Sequence, residues 1–419
     1  MKFSFSSKHC ILGGLTLSLL VLILSSFIHA APDNSAEVVL QKNLDNRVLL
    51  SKSLEPYLAQ EQFPEKLSLN LDGKSSKEYG VKYTIDNQLQ KAADDLLEHY
   101  KPDYSAIFMM DAKTGKVLVY ASYEKNSNSS GSLLKKATYP AASIFKIVTA
   151  TAAVDKNGLD PQHKIQFNGS NWTLYKKNVM FDKITRWTRT VTMREAFAKS
   201  MNTPFGKLGL NEVEPKVLDN YAGRYMFNQQ IPADFPVDPG VAIIPTEKNF
   251  ALSEVACGFN KNNRMSPVQG AMMAATVINE GKMVVPYIVE SLNESGAVVH
   301  QGLSLEAGSV MSAESAKKVK ELMRETIVSG TSRRTFASLN KSKKFQIIEM
   351  GGKTGHLTGD DPKGRVDWFV GYASNGDRQI AIGTVTVNKQ KWTVKSSFIG
   401  QTLFKKAFED NLTSFASNP

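Results

Sequence analysis

Apolar and polar positions divide the 419-residue chain into an N-terminal apolar run, a weakly patterned polar stretch and a long ordered body. The run extends from Ile11 to Ile28, and the weak stretch from about Asp33 to Lys82. Within the latter, Val38–Leu50 and Leu54–Leu58 are short amphipathic pieces, the second a single turn around Pro56. Stronger periodicity begins at Thr84-Ile85-Asp86, which reads as a helix cap, because Leu89, Ala92, Ala93, Leu96 and Leu97 recur at helical spacing. Two apolar strands follow, Ser105–Met110 and Lys116–Ala121, joined by the turn Asp111-Ala112-Lys113-Thr114-Gly115. Asn126–Ser132 is a polar, Ser-rich loop.

The next stretch, Tyr139-Pro140-Ala141-Ala142-Ser143-Ile144-Phe145-Lys146, reads as the start of an apolar helix, with Pro140 blocking propagation from upstream. Phe167–Thr190 is mixed and carries Trp172, Tyr175, Phe181 and Trp187, which core packing explains better than an exposed groove. Thr192-Met193-Arg194-Glu195 is a capping box, and the helix it starts runs towards Ser200-Met201-Asn202-Thr203-Pro204. Helices are predicted over Ser266–Glu280 and Ser312–Val328, the latter with Ser315 facing solvent. The late strands are Val366–Ala373 and Gln379–Val387, around Ser374-Asn375-Gly376-Asp377, before a C-terminal helix at Phe398–Phe408. Strands early, helices between and strands late predict one α/β sheet interrupted by a helical insertion.

Composition changes this picture little, since 42% hydrophobic and 22% charged residues are ordinary for a globular protein. Charge adds a partner class. Fifty-one Lys and Arg against 40 Asp and Glu leave +11, which suits an anionic surface or cell-wall polymer. Neither a zinc-ligand spacing nor a nucleic-acid-binding motif is present, so no metal, cofactor or nucleic acid is expected. Lys2 and Lys8 before the apolar run, and His29-Ala30-Ala31 after it, form an export segment over residues 1–30, either cleaved or retained as an anchor. The body then faces the periplasm or the outer face of the membrane. Residues 31–80 are read as a short stalk. Cys257 is the sole cysteine beyond that export segment, in an apolar setting, and reads as core.

The candidate chemistry starts at Ser143 and Lys146, three positions apart and therefore on one helical face. A serine is a weak nucleophile until a base takes its proton, and a neutral lysine can be that base. Single motifs are weak here: Ser-x-x-Lys recurs at Ser122, Ser132, Ser315 and Ser338, and Lys-Thr-Gly also occurs in the turn at Lys113. Order and context discriminate. The set Ser143-x-x-Lys146, Ser200-x-Asn202 and Lys353-Thr354-Gly355 resembles that of the penicillin-binding proteins and serine β-lactamases. Thr84-Ile85-Asp86, the Met110–Gly115 hairpin, Ser266-Pro267-Val268-Gln269 and Trp368-Phe369-Val370-Gly371-Tyr372 are similar to their transpeptidase domain, so the resemblance covers about residues 81–415. With no room for a glycosyltransferase domain, the chain resembles a monofunctional, class B-like member.

The resemblance implies a β-lactamase/transpeptidase-like fold, an antiparallel sheet flanked by helices with a helical insertion subdomain. It implies attack by Ser143 on the carbonyl between two terminal D-alanines of a peptidoglycan stem peptide, with Lys146 as base. Ser200 would bridge Lys146 to the leaving amine, and Asn202 would bond the substrate amide. Backbone N–H groups of Ser143 and His356 would form the oxyanion hole, and Lys353 and Thr354 would hold the carboxylate that β-lactams also present. Gly355 would admit the substrate to the strand edge. Two departures are visible: His356 stands where a second Thr is common, and Pro140-Ala141-Ala142-Ser143 replaces the frequent Pro-Gly-Ser elbow. Glu-x-x-Leu-Asn and Tyr-Gly-Asn, which mark hydrolytic relatives, are absent. A D,D-transpeptidase is therefore expected, assisted by a glycosyltransferase or a division or elongation partner. The alternatives are a D,D-carboxypeptidase or endopeptidase, a β-lactamase, or a non-catalytic penicillin-binding sensor or scaffold.

Overall fold

The computed structural model describes residues 34–71, 73–125, 132–181 and 183–415. The export segment and all but the last residue of the Ser-rich loop lie outside the described residues. None of the described helices is long and apolar enough to cross a membrane. Residues up to Asp45 form one unit and those from Asn46 a second, the body.

Helix α1 spans Asn34–Leu58 and so unites the pieces expected at Val38–Leu50 and Leu54–Leu58; Pro56 is tolerated because it falls in the last turn, where it removes one backbone bond. In chain order the body continues with β1 (Lys66–Leu69), β2 (Lys77–Tyr83), α2 (Asn87–Tyr100), β3 (Tyr104–Asp111) and β4 (Val117–Glu124). A 3-10 turn at Ala142–Phe145 leads into α3 (Lys146–Asp155). The insertion holds the hairpin β5 (Lys164–Phe167) and β6 (Arg189–Thr192), then α4 (Met193–Ala198), α5 (Asn202–Lys207) and α6 (Phe250–Cys257). The chain returns through α7 (Pro267–Ile278), β7 (Val289–Glu294), β8 (Ala297–Gln301), α8 (Ala313–Val328) and α9 (Arg333–Lys341). It ends with β9 (Glu349–Asp360), β10 (Lys363–Ser374), β11 (Gln379–Asn388) and α10 (Ser396–Phe415).

The central sheet has the order β9-β10-β11-β3-β4, with antiparallel neighbours throughout. Its register runs Thr354↔Phe369↔Thr384↔Ile107↔Ala121. One face buries Phe369, Ile380 and Ile382 against Leu89 and Leu97 of α2, Phe336 of α9 and Leu403, Phe404 and Phe408 of α10. The other is covered by α7, buried along its whole length. Such two-sided cover leaves β9 as the sheet edge nearest the 142–145 turn. Trp368 fixes that approach: its indole N–H donates to the Pro140 carbonyl at 2.9 Å, and its ring meets Tyr139 edge-on at 5.8 Å.

A second sheet, β1-β2-β7-β8, is tied down by a buried charge pair. Asp234 accepts the backbone N–H groups of Ile288 and Val289 at 2.8 and 2.9 Å. Arg47 donates to the carbonyls of Pro232, Pro286 and Leu303 at 3.1, 3.3 and 2.6 Å. Burial pushes the Asp234 carboxyl up, and Arg47 opposes that rise. Burial likewise pulls Arg47 down, and Asp234 opposes that fall.

Two expectations are corrected. The rings of Trp172, Tyr175, Phe181 and Trp187 are exposed, not core. Polar ties hold their segment instead: Asn168 Nδ2 donates to the Lys183 carbonyl at 2.9 Å, Thr188 Oγ1 to Asn168 Oδ1 at 2.8 Å, and Arg189 Nη2 to the Gly169 carbonyl at 2.7 Å. Ser315 is buried, because it occupies the first turn of α8 and gives its N–H to the capping hydroxyl of Ser312 at 3.1 Å.

Candidate active site

The site forms where the 142–145 turn, the α4–α5 junction, the end of α6 and the edge of β9 converge. Ser143 lies on the 3-10 turn, half-buried, one turn ahead of the α-helix proper that was expected to carry it. Lys146 opens α3 and is fully buried. Its ammonium donates to Ser143 Oγ at 2.8 Å, to Asn202 Oδ1 at 2.9 Å and to the Cys257 carbonyl at 2.6 Å. Asn202 is held in turn. Its Nδ2 donates to the Trp172 carbonyl at 2.7 Å, and its backbone N–H to that of Asn171 at 2.9 Å.

Ser200 owes its position to the end of α4. Its N–H donates to Phe197 O, and the N–H of Met201 to Ala196 O, at 3.0 and 2.8 Å. This is a Schellman closure whose left-handed residue is usually glycine; here it is Ser200, at φ +54°. The strained backbone aims the hydroxyl at Lys353, whose ammonium donates to Ser200 Oγ at 2.9 Å and to the Thr354 carbonyl at 2.8 Å. Ser200 therefore contacts Lys353, where a contact with Lys146 was expected. The ammonium groups also lie over rings, Lys146 over Phe205 at 5.8 Å and Lys353 over Phe197 at 5.4 Å.

Thr354 shares a 2.6 Å hydroxyl contact with Thr331. Gly355 packs on the nucleophile turn: a Cβ there would lie 3.3 Å from Ile144 N and from the Ala142 side chain. His356 turns to its register partner Asp367, with Nε2 2.5 Å from Oδ1, and its ring meets Trp392 edge-on at 5.8 Å. Asp367 is buried and also accepts the N–H of Ser396 at 2.7 Å. A cavity of about 500 Å³ opens beside Thr354 and His356, with Lys199, Arg333, Arg334 and Lys395 in its wall. A carboxylate would meet mostly positive charge there. Ala142, where glycine is frequent in similar elbows, adopts φ +47° and so carries strain a glycine would not.

Electrostatics sets the chemistry. Burial pushes the Lys146 amine down to about 8, with the Cys257 side chain opposing. Lys353 is driven well below its ordinary value, first by burial and then by the charge of Lys146. The charge of Lys146 thus disfavours a charge on Lys353. Neutral Lys146 keeps two N–H donors and gains a lone pair. Asn202 Oδ1 and the Cys257 carbonyl can hold those two donors, which leaves the lone pair aimed at Ser143 Oγ.

Sequence reasoning missed the Cys257 carbonyl, Thr331, Asp367 and the Asn171 and Trp172 carbonyls. One signal existed. Cys257-Gly258 ends a helix, and terminal helical carbonyls need outside donors. Gly258 caps α6 at φ +71°, and a Cβ there would fall 1.8 Å from the Ala142 carbonyl, so the nucleophile turn requires glycine at this point. The Cys257 thiol itself is core, as expected, with its pKa raised by burial.

Known proteins resemble the chain in sequence and in fold. Peptidoglycan D,D-transpeptidase PbpA of Mycolicibacterium smegmatis is 25% identical over 366 residues, covering 77% of this chain and 70% of that protein. Penicillin-binding protein 2B of Streptococcus pneumoniae serotype 2 is 24% identical over 439 residues, covering 88% of this chain and 62% of that one. In fold, the chain matches the D,D-transpeptidase domain of a peptidoglycan glycosyltransferase from Eggerthella lenta, at TM-score 0.65 and 21% identity, over 81% of this chain and 85% of that one. It matches equally the imipenem acyl-enzyme complex of penicillin-binding protein A from M. tuberculosis, at TM-score 0.65 and 22% identity, over 80% and 81%. The penicillin binding protein transpeptidase domain matches residues 105–409, which include every residue of the constellation from Ser143 to His356. With that match over most of its length and the β-lactamase/transpeptidase fold around the Ser143 cleft, the chain belongs to the penicillin-binding protein transpeptidase domain family.

Proposed function

We propose that the protein is a peptidoglycan D,D-transpeptidase working through an acyl-enzyme on Ser143, and that penicillin acylates the same serine. The observation that carries this reading is the 2.8 Å contact between Ser143 Oγ and a buried Lys146 whose amine is pushed down to about 8. Neutral Lys146 takes the hydroxyl proton as Ser143 Oγ bonds to the penultimate D-alanine carbonyl. The resulting oxyanion is received by the N–H groups of Ser143 and His356. The proton then passes to the leaving D-alanine nitrogen, either from Lys146 or through Ser200. Lys353, Thr354 and the basic cavity beside them hold the terminal carboxylate, and the second Nδ2 hydrogen of Asn202 is available to the peptide backbone. Gly355 leaves the strand edge open to it. Arrival of the carboxylate favours the charged form of Lys353, and that charge in turn favours neutral Lys146. Substrate binding thereby prepares its own base. An amine of a second stem peptide completes the transfer. The export segment places the body outside the cytoplasm, where strands made by a glycosyltransferase are available.

The test is intact-mass spectrometry of the purified protein with a penicillin over time, with Ser143→Ala as control. A persistent single adduct, lost in the variant, is expected. Rapid loss of the adduct with drug consumed would replace this reading by that of a β-lactamase. No adduct would withdraw the catalytic assignment of Ser143. Full complementation of the deletion phenotype by Ser143→Ala would instead point to a scaffold.

A further inference from the structure

The insertion holds a second cavity, of about 830 Å³, separate from the residues that hold Ser143 and Lys146, and the exposed Phe181 and Trp187 neighbour its lining residues Lys183, Ile184 and Thr188 in the chain. Gln166 and Thr190 face each other across the β5–β6 hairpin in its wall, both exposed, and Asn211 closes it from the far side. Their side chains take part in no hydrogen bond among the described residues. Lys164, Lys183 and Lys207, the last donating to the Gln166 carbonyl at 3.1 Å, add positive charge that outweighs the carboxylate of Glu212. Ile184 lies on the rim, 73% exposed, flanked by Phe181 at 63% and Trp187 at 71%, with the Arg186 guanidinium 4.8 Å from the Trp187 ring centre. The insertion is also tied to the catalytic cleft. Trp172, 69% exposed, gives its indole N–H to the Lys199 carbonyl at 3.3 Å, and its own carbonyl holds Asn202.

We propose that this groove binds the acetylated aminosugar strand that carries the stem peptide, so that the polymer is gripped on the insertion while its peptide enters the Ser143 cleft. The inference rests on the transpeptidase reading and extends it. Three features select a saccharide. Neutral amide and hydroxyl side chains match sugar hydroxyls and acetamides, as the few convergent polar groups of a ligand cleft do. The flat exposed rings of Phe181 and Trp187, beside those lining residues in the chain, can receive the apolar C–H face of a pyranose, keeping a broad apolar contact at small entropy cost. The lysines complement carboxylates on the attached peptides. A lipid surface would meet the same aromatic and basic residues, but its natural receptor is a convex apolar tip, whereas this site is concave and lined by amides and hydroxyls.

The experiment uses the full chain in mild detergent and a peptide-free β-1,4-linked N-acetylglucosamine hexamer, followed by tryptophan fluorescence and calorimetry. Saturable binding is expected. Phe181→Ala/Trp187→Ala should weaken it at least tenfold, Trp187→Phe should retain it, and both should react with penicillin within about twofold of the parent. Acylated parent protein that ignores the hexamer overturns this inference alone, and so does hexamer binding unchanged in the double variant. Saturable binding of anionic phosphatidylglycerol vesicles that is lost in the double variant, with no hexamer binding, replaces the saccharide by a membrane. Failure of the parent to react with penicillin strikes the transpeptidase reading and leaves the hexamer result to stand by itself.

Discussion

Raising the pH through the titration of Lys146 should accelerate acylation by a predictable amount. The perturbed amine titrates at about 8 because it is buried. At pH 7 about 9% of it is neutral, at pH 8 about half and at pH 9 about 91%, so the second-order acylation constant should rise about fivefold over the first unit and about tenfold over both. An unperturbed lysine near 10.4 would instead give about tenfold for each unit with no bend below about pH 10. The measurement is stopped-flow acylation with a chromogenic β-lactam in excess, which reports the free enzyme. The same burial carries a stability signature. The folded amine lies below its unfolded value, so its penalty of about 3 kcal/mol is complete below the folded pKa and relieved as pH rises through about 8 towards 10.5. A rate flat from pH 7 to 9 would refute a deprotonated Lys146 as base, and one climbing tenfold per unit throughout would refute its lowered pKa.

Three other outcomes follow from the geometry. Ser200→Gly should raise stability by about 1 kcal/mol in denaturant unfolding, by relieving a left-handed non-glycine residue, while acylation falls at least tenfold; Ser200→Ala should lose the rate without the gain. Gly258→Ala should abolish acylation and cost about 3 kcal/mol or more, since its methyl would overlap the Ala142 carbonyl, whereas thermal unfolding near the parental Tm would contradict the close approach. Arg47→Met should cost about 3–5 kcal/mol by stranding Asp234, and Arg47→Met/Asp234→Asn should recover most of it. In the single variant the Asp234 folded pKa is raised above its unfolded value. Stability should therefore be best in acid and fall as pH rises through the raised value, which denaturant curves at about pH 4 and pH 8 would reveal.

Much of this architecture was legible because local signals and tertiary fate agree. The Asp86 cap, the hairpin at Asp111–Gly115 and the Ser266-Pro267 helix start were all read from residues that settle their own backbone. The Ser143, Lys146 and Lys353 positions were legible from order and context. The exposed rings were not, because hydrophobicity alone cannot tell a core aromatic from one held at the surface by Asn168 and Arg189. Ser200 was found as a motif, but its partner was not, since a left-handed backbone at a serine has no sequence mark. Backbone acceptors such as the Cys257 carbonyl are invisible in side-chain identity and emerge only when a helix end meets a cation.

The strand order has a consequence for biosynthesis. β3, made early, has β11, made late, as its inner neighbour, and the edge strand bearing Lys353 joins through β10. As the chain is synthesised or threaded from its N-terminus, Ser143 and Lys146 emerge some two hundred residues before their cleft has a wall. Pairings so distant in sequence form late. Until β9 docks, the cleft lacks Lys353, Thr354 and the strand edge beside the Ser143 turn, so the nascent protein should be chemically silent. Reaction with a fluorescent penicillin would then mark completion of the fold, and a pulse-labelled chain truncated before β9 should remain dark.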